Sequence, residues 1–423
     1  MKLRARTIAI ITLACSPVTS SAFQTIEEIQ WPESGRFPAY SREPDDGRNV
    51  RFSVFGGVMR DDNLFRLSDA TDPLATIGST NRADTIYRYG ARLRGDVPAS
   101  RQRILFEAEV DRRDYHNFGF LDHNAYRLGL AWKWAAGPQW SGDIGVGRRH
   151  YLASLAELQA PIKDLITEDR AFVSAGYRFA PRWRVRAGAD VYNWEHGDAT
   201  RVTLDNRTSS GTVGLDYVTP AENSVGGQFK YSYGDYPNRQ VVPGGTVDNN
   251  FNEYETSAVA HWAVTGKSAL DGRLGYTSRR HDQVSQRDFD GMTGRLKYDW
   301  FVAPKTLFNF AVWREIRSIE DVAANYVLSE GWGLGPAWAP TSKLVFHVKY
   351  VREDRDYKGD PGFVLTSGQE REDEFRGINL AAGYTPRRNL QFAVAVERGV
   401  RDSNIFGKNY DQNAVSANVR LRF

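Results

Sequence analysis

The chain has 423 residues, with 55 Lys and Arg against 52 Asp and Glu. Discounting Lys2, Arg4 and Arg6 of a cleavable leader brings the net charge of +3 to about zero, which excludes a typical nucleic-acid binder. Cys15 is the only cysteine, so disulfides and Cys-based zinc or thiol chemistry are excluded from a mature exported form. Aromatic residues make up 13% of the chain, yet no run of eighteen apolar residues occurs, which excludes a transmembrane helix.

Residues 1–22 read as a secretory signal peptide: basic residues to Arg6, a short apolar run from Thr7 to Cys15, and small residues Ser20–Ala22 before the expected cut. Cys15 as a lipid-bearing cysteine is the alternative, but Thr12 stands where such signals place an aliphatic residue. Residues 23–49 are rich in Pro and charge and have no period. They are expected to form a periplasmic lead-in segment.

From residue 50 onward, segments of alternating apolar and polar residues follow one another. The spacing predicts eighteen strands, at 50–59, 84–95, 101–114, 124–135, 139–152, 169–179, 182–194, 207–218, 223–236, 252–264, 268–281, 289–302, 305–317, 326–338, 342–355, 374–385, 389–402 and 411–423. Sixteen is the alternative if 207–218 and a neighbour are misread. Short turns such as "DVPAS" and "FAPR" alternate with long polar loops such as "PNRQVVPGGTVDNN", as hairpins crossing one membrane require.

In 101–114, Ile104, Phe106, Ala108 and Val110 oppose Arg103, Glu107, Glu109 and Asp111. Arg or Lys at the lipid midplane costs roughly 2–4 kcal/mol, so the charged set must face an enclosed aqueous interior. Eighteen strands in lipid cannot leave open edges, so strand 50–59 must pair with 411–423. The fold class is therefore all-β: a closed antiparallel transmembrane β-barrel, outer-membrane and porin-like, from residue 50 to Phe423.

The lumen-facing candidates are Arg103, Glu107, Glu109, Arg182, Arg184, Arg186, Asp190, Arg295, Lys297, Asp299, Arg420 and Arg422. Two readings compete. Either Arg and carboxylates pair along the wall, the default in such barrels, or they form a track for an anionic or sugar solute. Trp132, Trp134, Trp140, Trp183, Trp300, Trp332 and Trp338 lie near the short turns and fit an interfacial girdle; sugar stacking is the alternative for any that point inward. No two of the seven His have metal-ligand spacing, and His196 and His281 beside carboxylates read as solvated loop pairs. The clustered carboxylates of "DRDYKGD" lack a full calcium-loop pattern. No catalytic residue, metal or cofactor is expected.

The segment "FSVFGGVMRDDNLFRLSDATDP" (52–73), with Asp61, Asp62, Asn63, Phe65 and Arg66 at its centre, resembles the opening of the EpsL-like outer-membrane β-barrel family encoded with exopolysaccharide synthesis genes. The hairpin "DRRDYHNFGFLDHNAYRLGLAWKW" (111–134), with Tyr115, Asn117, Leu121 and Asp122 around its loop, is similar to the third-to-fourth-strand hairpin of that family. A chain ending in an aromatic strand, here at Phe423, resembles bacterial outer-membrane barrels in which that strand is the assembly signal. The resemblance implies export of an exopolysaccharide across the outer membrane of a Gram-negative bacterium and carries no catalytic residues. The alternative is a general or anion-selective porin for small solutes; a third, less supported reading is an outer-membrane hydrolase. The implied partners are outer-membrane lipid, the assembly machinery, a polysaccharide or other polar solute and periplasmic export components, with no nucleic acid.

Overall fold

The computed structural model describes residues 49–242, 245–283, 285–317, 326–358 and 370–423. The expected signal peptide and all but the last residue of the lead-in segment lie outside the described residues.

The strands in chain order are β1 (Val50–Asp61), β2 (Asp84–Ala99), β3 (Gln102–Tyr115), β4 (His123–Ala136), β5 (Trp140–Leu152), β6 (Leu165–Ala180), β7 (Trp183–Glu195), β8 (Asn206–Val218) and β9 (Ser224–Asp235). After a small ribbon, β10 (Gln240–Val242) with β11 (Gly245–Val247), come β12 (Phe251–Thr265), β13 (Ser268–His281), β14 (Phe289–Ala303), β15 (Thr306–Arg317), β16 (Tyr326–Leu334), β17 (Ala337–Trp338), β18 (Leu344–Lys358), β19 (Glu372–Arg387), β20 (Leu390–Ser403) and β21 (Tyr410–Arg422). Every barrel strand pairs antiparallel with its sequence neighbour. β1 also pairs with β21, Ser53 opposite Arg422 through Asp61 opposite Ala414, which closes the ring. β16 and β17 are one wall strand interrupted at Gly335–Pro336, so the barrel has eighteen strands. Pro336 has no N–H for the ladder, but its carbonyl still accepts from Val348 N–H at 2.9 Å. Each expected strand is present, and several run further than the alternation suggests: β6 starts at Leu165 and β18 reaches Lys358.

Two-residue periodicity sorts the side chains. Facing outward, Leu130, Val146, Val173, Val213, Leu274, Leu380, Val394 and Val415 are exposed and form the apolar belt. Trp132, Trp140, Trp183, Trp300, Trp332 and Trp338 are exposed on the same outer face, as the girdle reading expects. Trp134 lies on it too, half-buried and packed close to Gly142. Facing inward are Ser53, Arg92, Glu109, Asp111, Asp143, Arg184, Asp216, Glu255, Glu353 and Asn379, all buried. Glycine marks a close approach on that face: a Cβ on Gly90 would sit 2.2 Å from the Val110 carbonyl oxygen.

At the seam, Phe423 N–H donates to the Phe52 carbonyl at 2.9 Å, and the two rings stand 5.8 Å apart. The Phe423 side chain is 57% exposed, so it contributes little packing within the monomer. Its expected role as the signal read during assembly gives a separable outcome. Phe423→Ser should cut the amount of folded barrel in the outer membrane several-fold. Heat-modifiable migration of the protein that does assemble should be unchanged. Equal membrane yields for both forms would remove that role.

Candidate functional site

The lumen wall is a lattice of guanidinium–carboxylate pairs. Arg88 reaches Glu109 at 2.7 Å and Asp111 at 3.0 Å, Arg92 reaches Glu107 at 2.7 Å, and Arg149 reaches Glu168 at 2.9 Å. Arg184 and Arg186 share Asp216 at 2.6 and 2.7 Å. Arg295 bonds Glu315 at 2.6 Å, and Glu353 takes Arg317 at 2.7 Å and Arg355 at 3.0 Å. Burial favours pairing, because an uncompensated charge in this wall would lose its hydration without return, although Asp143 and Glu397 are buried on the same face with no ion pair among the described residues.

The sequence candidates distribute as follows. Glu107, Glu109, Arg184, Arg186 and Arg295 belong to this lattice. Arg103 pairs with Asp96 beside the short turn, and Lys297 lies 3.5 Å from Asp299, which also accepts from Asn309. Arg420 approaches the inward-facing Phe55 ring at 5.9 Å, and Arg422 bonds Gln391 at 2.7 Å. Asp190 faces the lumen half-buried, with no ion pair among the described residues. Arg182 is a correction: it sits in the β6–β7 turn and bonds the Tyr217 hydroxyl at 2.7 Å. Tyr217 is paired with the outward-facing Trp183, so Arg182 belongs to the outer rim; the strand starts one residue later than the alternation suggests.

The long loops fold over the mouth. In the β1–β2 loop, Leu64, Phe65 and Leu67 are buried with Met59, Ile86, Phe118, Leu121 and Leu155. The Phe65 and Phe118 rings meet edge-on at 4.9 Å. Arg66 takes a left-handed backbone (φ 56) that an L-residue adopts only when its surroundings fix it. Here its guanidinium is buried against Asp61 at 2.9 Å, and it donates to the Asn63 carbonyl at 2.5 Å. Asn63 reaches the Asp411 carbonyl at 2.9 Å, and Asp62 accepts from Asn413, so the segment is tied to the seam. Asp84 is fully buried and receives the backbone N–H groups of Asn117 and Phe118.

The β5–β6 loop goes further. Its short helix, Leu155–Leu158, places Glu157 against the opposite wall, with β1 to β4 and β21 intervening along the shorter arc between β5 and β20. There Glu157 meets Arg401 at 3.3 Å, Arg355 at 3.4 Å and Arg371 at 3.6 Å, and accepts from the Tyr357 hydroxyl at 3.1 Å. Arg401, fully buried, also donates to the Ala156 carbonyl at 2.9 Å. Burial opposes ionisation of Glu157, but Arg401, Arg371 and Arg355 outweigh it and hold the carboxyl down to about 2. The root of the loop is also anchored. Buried Asp164 accepts from Gly197 and Asp198 N–H and from Arg201, and His196 bonds Asp205 at 3.1 Å. Burial lowers the His196 pKa, so this His–carboxylate contact is a neutral structural tie. Alternation alone gives the inward positions of Arg355 and Arg401. Glu157, in a non-periodic loop roughly two hundred residues away in sequence, offers no such signal.

Residues 226–423, just under half of the chain, match the family described as "Putative beta-barrel porin 2". No curated protein matches the chain. Similar solved structures include a BenF-like porin from Pseudomonas fluorescens Pf-5, at 9% identity and TM-score 0.48 over 89% of this chain and 99% of that one. OccK2 (OpdF) from Pseudomonas aeruginosa is similar at 10% identity and TM-score 0.47, over 89% of this chain and 98% of that one. OprD from Pseudomonas aeruginosa is similar at 10% identity and TM-score 0.44, over 89% and 94%. The matched half, the closed ring and the apolar belt together make this a Gram-negative outer-membrane β-barrel of porin architecture.

Proposed function

We propose that the barrel is a diffusion porin for small polar solutes with a preference for anions. The observation that carries this reading is the set of open cations on the inward face. Arg94, Arg170 and Lys230 have no carboxylate within 4.0 Å among the described residues, and the Arg170 Nε is buried without a hydrogen-bond partner. Asp143, Asp190 and Glu397 are inward carboxylates that also lack an ion pair among the described residues, but Asp143 and Glu397 are buried whereas Arg94 is exposed and Arg170 and Lys230 are half-buried, so the charges that meet lumen water are mainly cations. Guanidinium groups also fit carboxylate and phosphate solutes in a forked geometry that ammonium groups lack.

A potassium chloride gradient across a planar bilayer tests this. The reversal potential should report chloride preference, and Arg94→Gln, Arg170→Gln and Lys230→Gln combined should move it toward zero. Cation selectivity in the parent, or no shift in the triple variant, would overturn the reading.

Exopolysaccharide export, suggested by the opening segment, has weaker support. Leu64, Phe65 and Leu67 of that segment are consumed in packing the mouth, and the Glu157 bridge lies across the opening that a polymer would need. Block of the conductance by added polysaccharide, together with loss of extracellular polysaccharide on gene deletion, would favour export over diffusion.

A further inference from the structure

The outer wall between β3 and β8 carries a feature that passage through the lumen does not use. A groove of about 810 Å³ runs over these strands on the lipid-facing side. Two adjacent cross-strand rows build it. The lower row is Phe106, Leu130, Val146, Ala171 and Val191, which is apolar throughout. The row directly above, toward the long loops, reads Arg148, Asp169, Asn193 and Arg207 from β5 to β8. Small Ala171 sets the depth beside the taller Val146. The boundary between the rows is abrupt, a head level over a tail level, on the extracellular half of the barrel.

The head level is cationic where it is open. Asp169 clamps Arg148 with two bonds, at 2.6 and 2.7 Å. Arg207 is exposed and has no ion pair among the described residues, because Glu195 is engaged by Asn193 at 2.7 Å and Asp235 across the ladder stays out of range. A free guanidinium above an apolar trough matches a phosphate carried on an acyl chain. The neighbouring Asn193 and Glu195 can also bond sugar hydroxyls, a fit that a simple diacylglycerol phosphate does not exploit.

We infer that this groove seats a phosphorylated, acylated glycolipid of the extracellular leaflet, with its phosphate on Arg207 and Arg148 and one acyl chain along Val146, Ala171 and Val191. Native mass spectrometry of the purified barrel in detergent tests it with three probes: bis-phosphorylated lipid A, lipid A stripped of phosphate, and phosphatidylglycerol. One lipid A should be retained per barrel, with each of the other two at least ten-fold weaker. Arg207→Gln with Arg148→Gln should lower lipid A retention at least ten-fold. Ala171→Phe, which keeps an apolar side chain toward lipid and so leaves the barrel folded, should lower it several-fold by filling the trough. Equal retention of phosphatidylglycerol would overturn the glycolipid assignment. Retention unchanged in both variants would overturn the site.

Discussion

Glu157→Ala should raise single-channel conductance at least two-fold while the barrel stays folded. Its carboxylate is what Arg355, Arg371 and Arg401 converge on. Removing one partner from a buried charge cluster costs about 3–5 kcal/mol, and here the lower end applies, because Arg355 keeps Glu353 and Arg371 keeps Asp373, which leaves the fully buried Arg401, with Asp373 3.7 Å away, to bear most of the loss. Here that cost falls on the latched state. A penalty of about 3 kcal/mol changes a two-state ratio by more than a hundred-fold, enough to turn a loop bridging the mouth into one that spends most of its time released. Glu157→Gln, which keeps the shape and one acceptor, should fall between parent and Ala. Heat-modifiable migration separates a released loop from an unfolded barrel. If folded Glu157→Ala barrels conduct as the parent does, the bridge does not limit flow.

The same contact fixes a pH dependence. A carboxyl held at about 2 in the folded form against an ordinary value of 4.5 contributes about 3 kcal/mol. Because the folded value is the depressed one, that stabilisation is complete above the ordinary value and is lost as pH falls toward 2. The part of the conductance that this latch sets should therefore be flat from about pH 8 to about pH 5 and climb only below about pH 4. In Glu157→Ala the climb should be absent.

The wall was legible from alternation because lipid imposes one rule on every strand, and a one-residue error would turn each charge into hydrocarbon. Hence eighteen strands are present, and Glu107, Arg184 and Arg295 lie on the inward face. Arg182 was misplaced because the rule ends at the strand boundary, where a side chain is free to fold back over Tyr217. The mouth was legible only in part. Residues 61–67 stood out as a segment, but nothing local in them specifies Phe118 as the partner of Phe65. The bridge was not legible at all, since a contact between Glu157 and Arg401 depends on ring closure bringing β5 and β20 within reach of one loop.

Asp216→Ala should be the most destabilising change in the wall away from the mouth, by about 3–5 kcal/mol. Asp216 is 2% exposed and is shared by two buried guanidinium groups, Arg184 bonding through Nε at 3.1 Å and Nη2 at 2.6 Å, and Arg186 approaching at 2.7 Å. Without it, two like charges face each other in the β7–β8 wall, and only lumen water can relieve them. Asp216→Asn keeps an acceptor but no charge, so it should lose about half as much. The cause is separable from lost packing: with Arg184→Met, Arg186→Met and Asp216→Leu together no charge remains, and stability should return to within about 1 kcal/mol of the parent. Urea unfolding of the barrel in lipid vesicles reads all three. A triple variant as unstable as Asp216→Ala would assign the loss to shape, whereas recovery assigns it to unpaired charge. A single variant as stable as the parent would mean that water reaches this wall freely, and the buried lattice would then contribute little to holding the ring together.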